Sequence, residues 1–397
     1  METAVSHIQS KIKVLGNELL DISDSNGRIS ARDVMALYDM PPFDRSPLDG
    51  YAVKASDTRG ASRQAPVRLN VIDEVFAGNC SDKTLSNGEA VRIMTGAPMP
   101  DGSDCVVMQE NTDYGEDTVC IFKEHSRHQN YCFMGEDIKK GGLVMKKGSK
   151  IRAAHQGILA SVGVREIEAV KKPRVTLIIT GSELVPLGSP LEKGKIYNSN
   201  LYLIKNRLAE LSAAPAIVCM ASDDSAALAG KIREFLPLSD IIITTGGVSV
   251  GKKDILYETL DALGAEIVFK GANHKPGPPA IFSMADDTPV ISLSGNPSAA
   301  IITFELLARP ALFKMTQDPV FETRRVKGIL KSGFCKKSDM RRFVRAVYSD
   351  GEVYIPGHDD AAKHSSGAIG SMIDCNCLVD VKSGDIASGD TVDVVML

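Results

Sequence analysis

The sequence predicts a multidomain fold in which a central, doubly wound parallel α/β domain is accompanied by smaller β-rich domains. Its 397 residues are enough for two to four domains. From residue 171 onward, strand-like runs alternate with helical patterns, which is typical of a parallel sheet covered by helices on both faces. On either side of that region, short apolar runs are separated by Gly, Asn and Asp turns, which favours β domains.

Composition excludes several classes of protein. The chain has 46 Lys and Arg against 50 Asp and Glu, a formal net charge of −4, and no Trp, so nucleic-acid binding is not expected. No apolar run reaches the roughly 18 residues of a membrane span, and the N-terminus carries no signal-peptide pattern. The eight cysteines are scattered without a CxxC pair, which favours reduced thiols. We therefore expect a cytoplasmic protein that binds neither membrane nor nucleic acid.

The N-terminal 170 residues combine helical and β patterns. Apolar residues recur at helical spacing from Ile8 to Ile22, which predicts one amphipathic helix there. A Pro-rich stretch follows at 41–47. From there to about residue 150, short strand-like runs separated by turn residues predict β structure. A helical pattern returns at 153–164. The predicted strands of the β stretch are residues 67–72, 90–94, 105–109 and 118–122.

The α/β pattern begins after Lys171-Lys172-Pro173 and stops near residue 320. Beyond it, short runs separated by glycines predict a small C-terminal β domain. The predicted α/β strands include residues 174–180, 216–220 and 241–245. Four helices are predicted in this region. The first carries Leu201 to Leu211, and the others span residues 225–235, 254–263 and 297–307.

Three Gly-rich turns follow predicted strands, at residues 180–183, 244–251 and 293–297. Ligands of open α/β sheets bind at the carboxyl ends of the strands. The middle turn, TTGGVSVG, suits a phosphate cradle, because glycines let backbone N–H groups approach an oxyanion. Glycines also serve tight turns without a ligand, and Asn296 and Pro297 are explained equally well as an N-cap and a first helical residue.

Acidic residues gather at the same predicted sheet edge. Glu183 follows the first turn, Asp223 and Asp224 open one helix, and Asp254 opens another. Beside a phosphate site they suit Mg²⁺, which takes oxygen ligands. Each is also explained as a helix cap or a first-turn acid. Both interpretations stand on spacing alone.

Cationic residues mark a second set of candidates. Lys275 opens the stiff loop KPGPP at 275–279, where it suits an anion, although a surface lysine is the ordinary interpretation. In the tail, arginines at 341, 342 and 345 are spaced along one predicted strand. Guanidinium groups bind oxyanions bidentately, and the alternative is a solvated basic strand. The turn at Ser366 adds hydrogen-bond donors, although an ordinary turn is the simpler interpretation.

Taken together and in order, these motifs resemble those of the molybdopterin molybdenumtransferase family, which includes bacterial MoeA and the E domain of gephyrin. The resemblance covers nearly the whole chain. In the N-terminal half it rests on SPLDGYAV at 46–53, RIMTGA at 92–97, GSDCVV at 102–107 and GED at 135–137. In the C-terminal half it rests on TGSEL at 180–184, DD at 223–224, TTGGVSVGKKD at 244–254, KPG at 275–277 and SGNPSAA at 294–300, followed by the tail residues 342–345 and Ser366.

The resemblance implies an elongated protomer with four parts, and a homodimer. The α/β part is then molybdopterin-binding-like. The implied parts are a helical and extended linking domain (1–45 with 141–170), an inserted β-rich domain (46–140), the α/β domain (171–320) and a C-terminal β domain (321–397).

The resemblance also implies an enzyme of molybdenum cofactor biosynthesis, which inserts molybdate or tungstate into adenylylated molybdopterin with Mg²⁺-dependent release of AMP. The molybdopterin adenylyltransferase and molybdoenzyme acceptors are further candidate partners. The implied catalytic residues are Asp49, Thr95, Asp137, Glu183, Asp224, Asp254 and Lys275, with Glu183, Asp224 and Asp254 as Mg²⁺ ligands. The implied substrate-binding residues are Gly246, Gly247, Ser249, Gly251, Ser294, Gly295, Asn296, Arg345 and Ser366, the last two at the oxyanion.

Several positions depart from the family pattern. Ser182 stands where an acid is expected, Pro278 where a second lysine is expected, and Cys132 where an arginine is expected. Lys252 or Lys253 is a candidate to compensate for the lost lysine. The retained acids and Lys275 favour a working enzyme, which we expect.

Two alternatives stay open. The departures favour a divergent paralog that binds molybdopterin, or acts as a dimeric scaffold, without insertion activity. If the resemblance is set aside, an unrelated nucleotide hydrolase is the third interpretation, although no general base for it is evident in the sequence.

Overall fold

The computed structural model describes residues 1–247, 255–334, 340–358 and 361–397. The chain divides into two compact units, one formed by residues 19–169 and the other by residues 1–18 together with 170–397. In the described part of the chain, no helix is long and apolar enough to cross a membrane. The cysteines of that part, which includes all but Cys335, are free thiols.

The first 170 residues contain two helices and nine strands in the described structure. A mixed five-stranded sheet with the order β6-β3-β5-β4-β7 forms the core of the unit 19–169. The elements are α1 (Glu2–Lys11), β1 (Asn17–Asp21), β2 (Val34–Met35), β3 (Gly50–Val53), β4 (Val67–Val75), β5 (Glu89–Ile93), β6 (Cys105–Met108), β7 (Thr118–Ile121), β8 (Leu143–Met145), α2 (Ala153–Ser161) and β9 (Glu166–Val170).

The single N-terminal helix predicted from Ile8 to Ile22 is wrong in its second half. Helix α1 ends at Lys11, where Ile12 is extended (φ −84°, ψ 131°). Leu19 lies in strand β1 instead, and 59% of it is exposed. Gly16 and Asn17 are poor helix formers, and pairing of β1 with β9 supplies the backbone hydrogen bonds that a helix would otherwise provide.

The α/β region forms a six-stranded sheet with helices packed on it, together with a separate two-stranded sheet. Its buried strands β10 and β14 are Val/Ile/Leu/Thr runs, as a strand covered on both faces requires. The elements are β10 (Val175–Thr180), β11 (Leu184–Val185), β12 (Ile196–Tyr197), α3 (Ser199–Glu210), β13 (Ile217–Ala221), α4 (Ser225–Phe235), β14 (Ile241–Thr245), α5 (Ile255–Ala262), β15 (Glu266–Lys270), β16 (His274–Lys275), β17 (Ile281–Ala285), β18 (Thr288–Leu293), α6 (Pro297–Thr303) and α7 (Arg309–Thr316).

The α/β sheet is mixed and not wholly parallel. Its order is β13-β10-β14-β18-β17-β15, and the first four strands are parallel. Strands β17 and β18 are antiparallel because only Asp286 and Asp287 join them, and a connection this short can make only a hairpin. The predicted doubly wound α/β core is confirmed, with an antiparallel edge that the sequence pattern did not reveal.

The C-terminal residues form a closed β structure. Strands β20, β21, β19, β23 and β22 follow one another, and β22 pairs back onto β20, so these five strands close into a small barrel. Closure leaves no unpaired edge among them. The strands are β19 (Arg325–Leu330), β20 (Arg341–Ser349), β21 (Glu352–Tyr354), β22 (Cys377–Val381) and β23 (Thr391–Met396).

Strand β16 joins the α/β region to the barrel. It follows β15 along the chain but pairs in parallel with β20 of the barrel. In this pairing His274 lies opposite Arg341 and Lys275 opposite Arg342. The His274 ring is fully buried and lies edge-on to Phe343, with ring centroids 5.8 Å apart. Burial lowers the pKa of His274 to about 4.

A buried carboxylate also ties helices to the barrel. Glu305 lies in a π-helical turn, Phe304–Ala308, between α6 and α7, and its side chain is 1% exposed. Its two oxygens accept hydrogen bonds from Arg207 Nε at 2.6 Å and Arg309 Nη1 at 2.9 Å. Arg309 donates in turn to the backbone oxygen of Met396 in β23. This one carboxylate therefore forms ion pairs with two guanidinium groups at once.

We expect Glu305→Gln to lower the free energy of unfolding by about 3–5 kcal/mol, because it removes the charge that two buried arginines share. Urea denaturation at pH 7 measures the change. Glu210→Gln is the matched control: Glu210 also contacts Arg207, but it is 65% exposed, so its loss should cost about 0–1 kcal/mol. Equal stability of the two variants would contradict the structural role of Glu305.

We expect His274 to make the protein less stable in mild acid. Its folded-state pKa is about 4 and its unfolded value is about 6.5, so between these values the unfolded chain binds the extra proton. The free energy of unfolding should then fall by about 3 kcal/mol as the pH drops from 6.5 to 4. The urea concentration at the unfolding midpoint should fall less steeply with decreasing pH in His274→Leu than in the wild type. The exposed His7 provides the control, since His7→Leu should keep the wild-type slope.

Candidate functional site

A cavity of about 410 Å³ lies at the carboxyl ends of the parallel strands; we call it the strand-end cavity. Residues that follow β10, β14 and β18 line it, as the topology of an open α/β sheet requires. The predicted residues among its lining are Glu183, Gly246, Gly247, Ser294, Gly295 and Asn296. The sheet thus brings all three Gly-rich turns together. Ser249, Gly251, Lys252, Lys253 and Asp254 lie outside the described residues.

Gly246 has a structural reason of its own. Its φ is +91°, and a Cβ there would lie 2.2 Å from the backbone oxygen of Thr180. Only glycine fits this conformation and this approach. The glycine is therefore required by the packing of the turn, whether or not a phosphate binds there.

Among the described residues, two carboxylates line the strand-end cavity, those of Glu183 and Asp223. Asp223 accepts a hydrogen bond from the Ser182 backbone N–H at 2.6 Å. Asp224 does not line the cavity; it caps α4 by accepting from the Ala227 backbone N–H at 2.7 Å. In the described residues, no group of three or more His, Cys, Asp or Glu side chains is placed to hold a metal ion.

Two buried amides that sequence reasoning did not single out also line this cavity. Asn198 caps α3 by accepting from the Leu201 backbone N–H at 3.0 Å, and Asn200 Nδ2 donates to the Gly295 backbone oxygen at 2.7 Å. Asn198 Nδ2 and Asn200 Oδ1 have no hydrogen-bond partner in the structure. The helix-capping signal at Asn198 could have placed these residues beside the sheet edge.

A second cavity, of about 350 Å³, lies between the β16 loop and the barrel; we call it the barrel-side cavity. Three cationic residues line it, Lys275, Arg342 and Arg345. Ser366 also lines it, and no Asp or Glu does among the residues that the structure describes. Gly277 allows the loop to approach α6, because a Cβ there would lie 2.3 Å from Thr303 Oγ1. The cavity therefore has the electrostatics of an anion site.

Arg345 is almost fully buried, and the protein engages both of its terminal nitrogens. Nη1 donates to Ser298 Oγ at 2.6 Å and to the Ala368 backbone oxygen, and Nη2 donates to the Lys363 backbone oxygen at 2.9 Å. Burial lowers the pKa of Arg345. These bonds fix its guanidinium in the wall of the cavity.

One hydrogen bond connects the two cavities. Asn296 lines the strand-end cavity, and its Nδ2 donates at 3.2 Å to the hydroxyl of Ser366, which lines the barrel-side cavity. The backbone N–H of Ser298 also donates to the backbone oxygen of Ser366, at 3.1 Å. The side chain of Asn296 makes no cap hydrogen bond to α6, so a capping role does not explain it, whereas Pro297 does begin the helix as predicted.

The remaining candidates lie in the unit 19–169. The Asp49 carboxylate accepts from both the backbone N–H and the hydroxyl of Thr95, each at 2.7 Å. These hydrogen bonds lower the pKa of Asp49. Asp137 is exposed, and its backbone N–H donates to Met40. The structure thus pairs Asp49 with Thr95, and the roles of all three residues stay predictions.

Family models match most of the chain. Residues 1–163 match the MoeA N-terminal region (domain I and II), residues 176–314 match a probable molybdopterin binding domain, and residues 327–397 match the MoeA C-terminal region (domain IV).

Similar proteins and structures agree with these matches. A molybdopterin molybdenumtransferase of Staphylococcus aureus is 38% identical over 380 residues, which cover 94% of this chain and 90% of that protein. A molybdopterin molybdenumtransferase of Staphylococcus epidermidis is 34% identical, and the match covers 100% of this chain and 95% of that protein. The crystal structure of a molybdopterin biosynthesis MoeA protein from Pyrococcus horikoshii superposes with a TM-score of 0.85 at 30% identity, with 100% and 98% covered. The chain therefore belongs to the molybdopterin molybdenumtransferase family, a family of enzymes in molybdenum cofactor biosynthesis.

Proposed function

We propose that this enzyme inserts molybdate or tungstate into adenylylated molybdopterin and releases AMP in a Mg²⁺-dependent reaction. The observation that carries the proposal is the hydrogen bond between Asn296 and Ser366, which connects a cavity with carboxylates to a cavity with cations. A nucleotide-linked pterin and a tetrahedral oxyanion need such different surroundings close together. The relatives' name, molybdopterin molybdenumtransferase, joins a pterin and molybdenum in one activity.

The strand-end cavity suits the nucleotide-linked substrate. It lies where open α/β sheets bind their ligands, and Asn198 Nδ2 and Asn200 Oδ1, which have no partner among the described residues, suit a polar heterocycle. Its carboxylates, Glu183 and Asp223, are the ligand type that Mg²⁺ takes together with phosphate oxygens, which usually complete its shell when a protein supplies only one or two carboxylates. Glu183 and Asp223 would hold Mg²⁺ there, and the ion would supply positive charge to balance the phosphate of the leaving AMP.

The barrel-side cavity suits the oxyanion. Lys275 and the two arginines supply positive charge, and the Ser366 hydroxyl supplies a further hydrogen-bond donor. In the reaction, water cleaves the anhydride bond between AMP and the molybdopterin phosphate. The two thiols of the dithiolene then replace one oxo group of molybdate, which leaves as water. The substrate sulfurs, and not protein cysteines, hold the metal.

We further propose that the enzyme acts as a cytoplasmic homodimer, in which Asp49, Thr95 and Asp137 complete the site. Asp224 and Asp254 stay proposed Mg²⁺ ligands, as the resemblance implies. The adenylyltransferase that makes the substrate and the enzymes that receive the cofactor are the proposed partners.

The proposal is tested by measuring, with chromatography, the AMP that is released from adenylylated molybdopterin in reactions that contain Mg²⁺. We expect release to depend on added molybdate or tungstate and to stop on chelation of Mg²⁺. Binding of the substrate without release would support the divergent paralog instead. Release at the same rate without any oxyanion would support the nucleotide hydrolase.

We expect Glu183→Gln to slow AMP release roughly 100-fold, because it removes charge that balances the metal at the leaving group. The same assay, at saturating molybdate, measures the rate. Glu192→Gln is the matched control, since Glu192 is exposed in the same connection between β10 and α3 and does not line the cavity. Equal rates in the two variants would remove Glu183 from the proposed site.

A further inference from the structure

Arg342 is a buried arginine of the barrel-side cavity, and the protein does not use all of its donors. It is 4% exposed, and its Nη2 donates to the Gly384 backbone oxygen at 2.6 Å. Its Cζ lies 5.3 Å from the ring centroid of Phe334. Its Nη1 is buried and has no hydrogen-bond partner among the residues that the structure describes. By contrast, both terminal nitrogens of Arg345 already donate to the protein.

The charge of Arg342 is also uncompensated. Among the described residues, no carboxylate lies within ion-pair distance of it, whereas its neighbour Arg341 contacts both Asp380 and Glu2. Burial lowers the pKa of Arg342, against the weaker, opposite effect of Asp385. A buried cation without a counter-charge is costly to the folded protein. An anion in the adjoining cavity offsets that cost.

The backbone fixes Arg342 beside Lys275. The two residues face each other in the parallel pairing of β16 with β20, and both line the barrel-side cavity. Pro278, from the same loop as Lys275, lines the cavity without charge. An ammonium and a guanidinium group in register on neighbouring strands suit a tetrahedral dianion, because one is a compact charge and the other a planar fork of donors.

We infer that Arg342 binds the tetrahedral oxyanion substrate together with Lys275, while Arg345 holds the wall of the cavity. The inference rests on the proposed function and adds to it a residue that the resemblance did not single out. It explains how the cavity keeps a second cation with a donor available to an anion although the loop carries Pro278.

Isothermal titration of the full chain with sodium molybdate, and separately with sodium tungstate, tests the inference. We expect Arg342→Gln to weaken binding at least roughly 30-fold, as truncation of one member of a buried charge pair does. Arg342→Lys keeps the charge and loses the fork, so its loss should be smaller, roughly 10-fold. Lys327→Gln removes the same charge from an exposed position on β19 and should bind like the wild type.

Arg345→Gln separates binding from support of the cavity wall. We expect it to lower the melting temperature more than Arg342→Gln does, because it breaks three hydrogen bonds to the protein. Melting curves of Arg342→Gln and Arg342→Lys show whether each variant is folded. If Arg342→Gln fails to fold, the more conservative Arg342→Lys still tests the inference.

Unchanged molybdate affinity in folded Arg342→Gln or Arg342→Lys, with wild-type binding intact, would overturn the inference alone. Failure of the wild type to bind either oxyanion would overturn the oxyanion part of the proposed function, and this inference with it. The two failures are distinguishable because the second appears in the unmutated protein.

Discussion

The pairing of two short backbone segments, His274–Lys275 and Arg341–Arg342, is the constraint on which the candidate oxyanion site depends. Strand β16 leaves the α/β region and becomes an outer strand of the barrel sheet, so the barrel is positioned by backbone hydrogen bonds and not only by side-chain packing. This pairing places Lys275 opposite Arg342. The buried His274 ring, packed against Phe343, fills the interior directly beside the paired strands.

Several arginines that are buried or largely buried differ in their electrostatic surroundings. Arg207 and Arg309 share the carboxylate of Glu305, and Arg341 contacts Asp380, so the protein compensates these charges internally. Arg342 has no such counter-charge within ion-pair distance among the described residues, and its Nη1 has no partner. Arg342 combines a buried charge, an unpartnered donor and a place in the wall of a cavity, which are the electrostatics of an anion-binding site.

Local sequence patterns succeeded where one element decides its own structure and failed where a distant element does. The predicted helix 225–235 and strand 241–245 are confirmed to the residue. The helix predicted through Ile22 is wrong, because β9, nearly 150 residues away, pairs with β1. Asn296 does occupy the N-cap position of α6, but its side-chain amide bonds Ser366, seventy residues further along the chain, and not the helix. Neither partner can be identified from local periodicity.

The sequence by itself determined the family, the α/β core with its β-rich companions, and the convergence of three Gly-rich turns at one sheet edge, because parallel strands direct their carboxyl ends to the same side. Only the tertiary structure decided that Asp223 and not Asp224 lines the strand-end cavity, and that Arg342 lies opposite Lys275. The reason is physical: hydrophobic periodicity specifies which face of an element is buried, whereas the register between distant segments, which sets side-chain neighbours, is fixed only when the chain has folded.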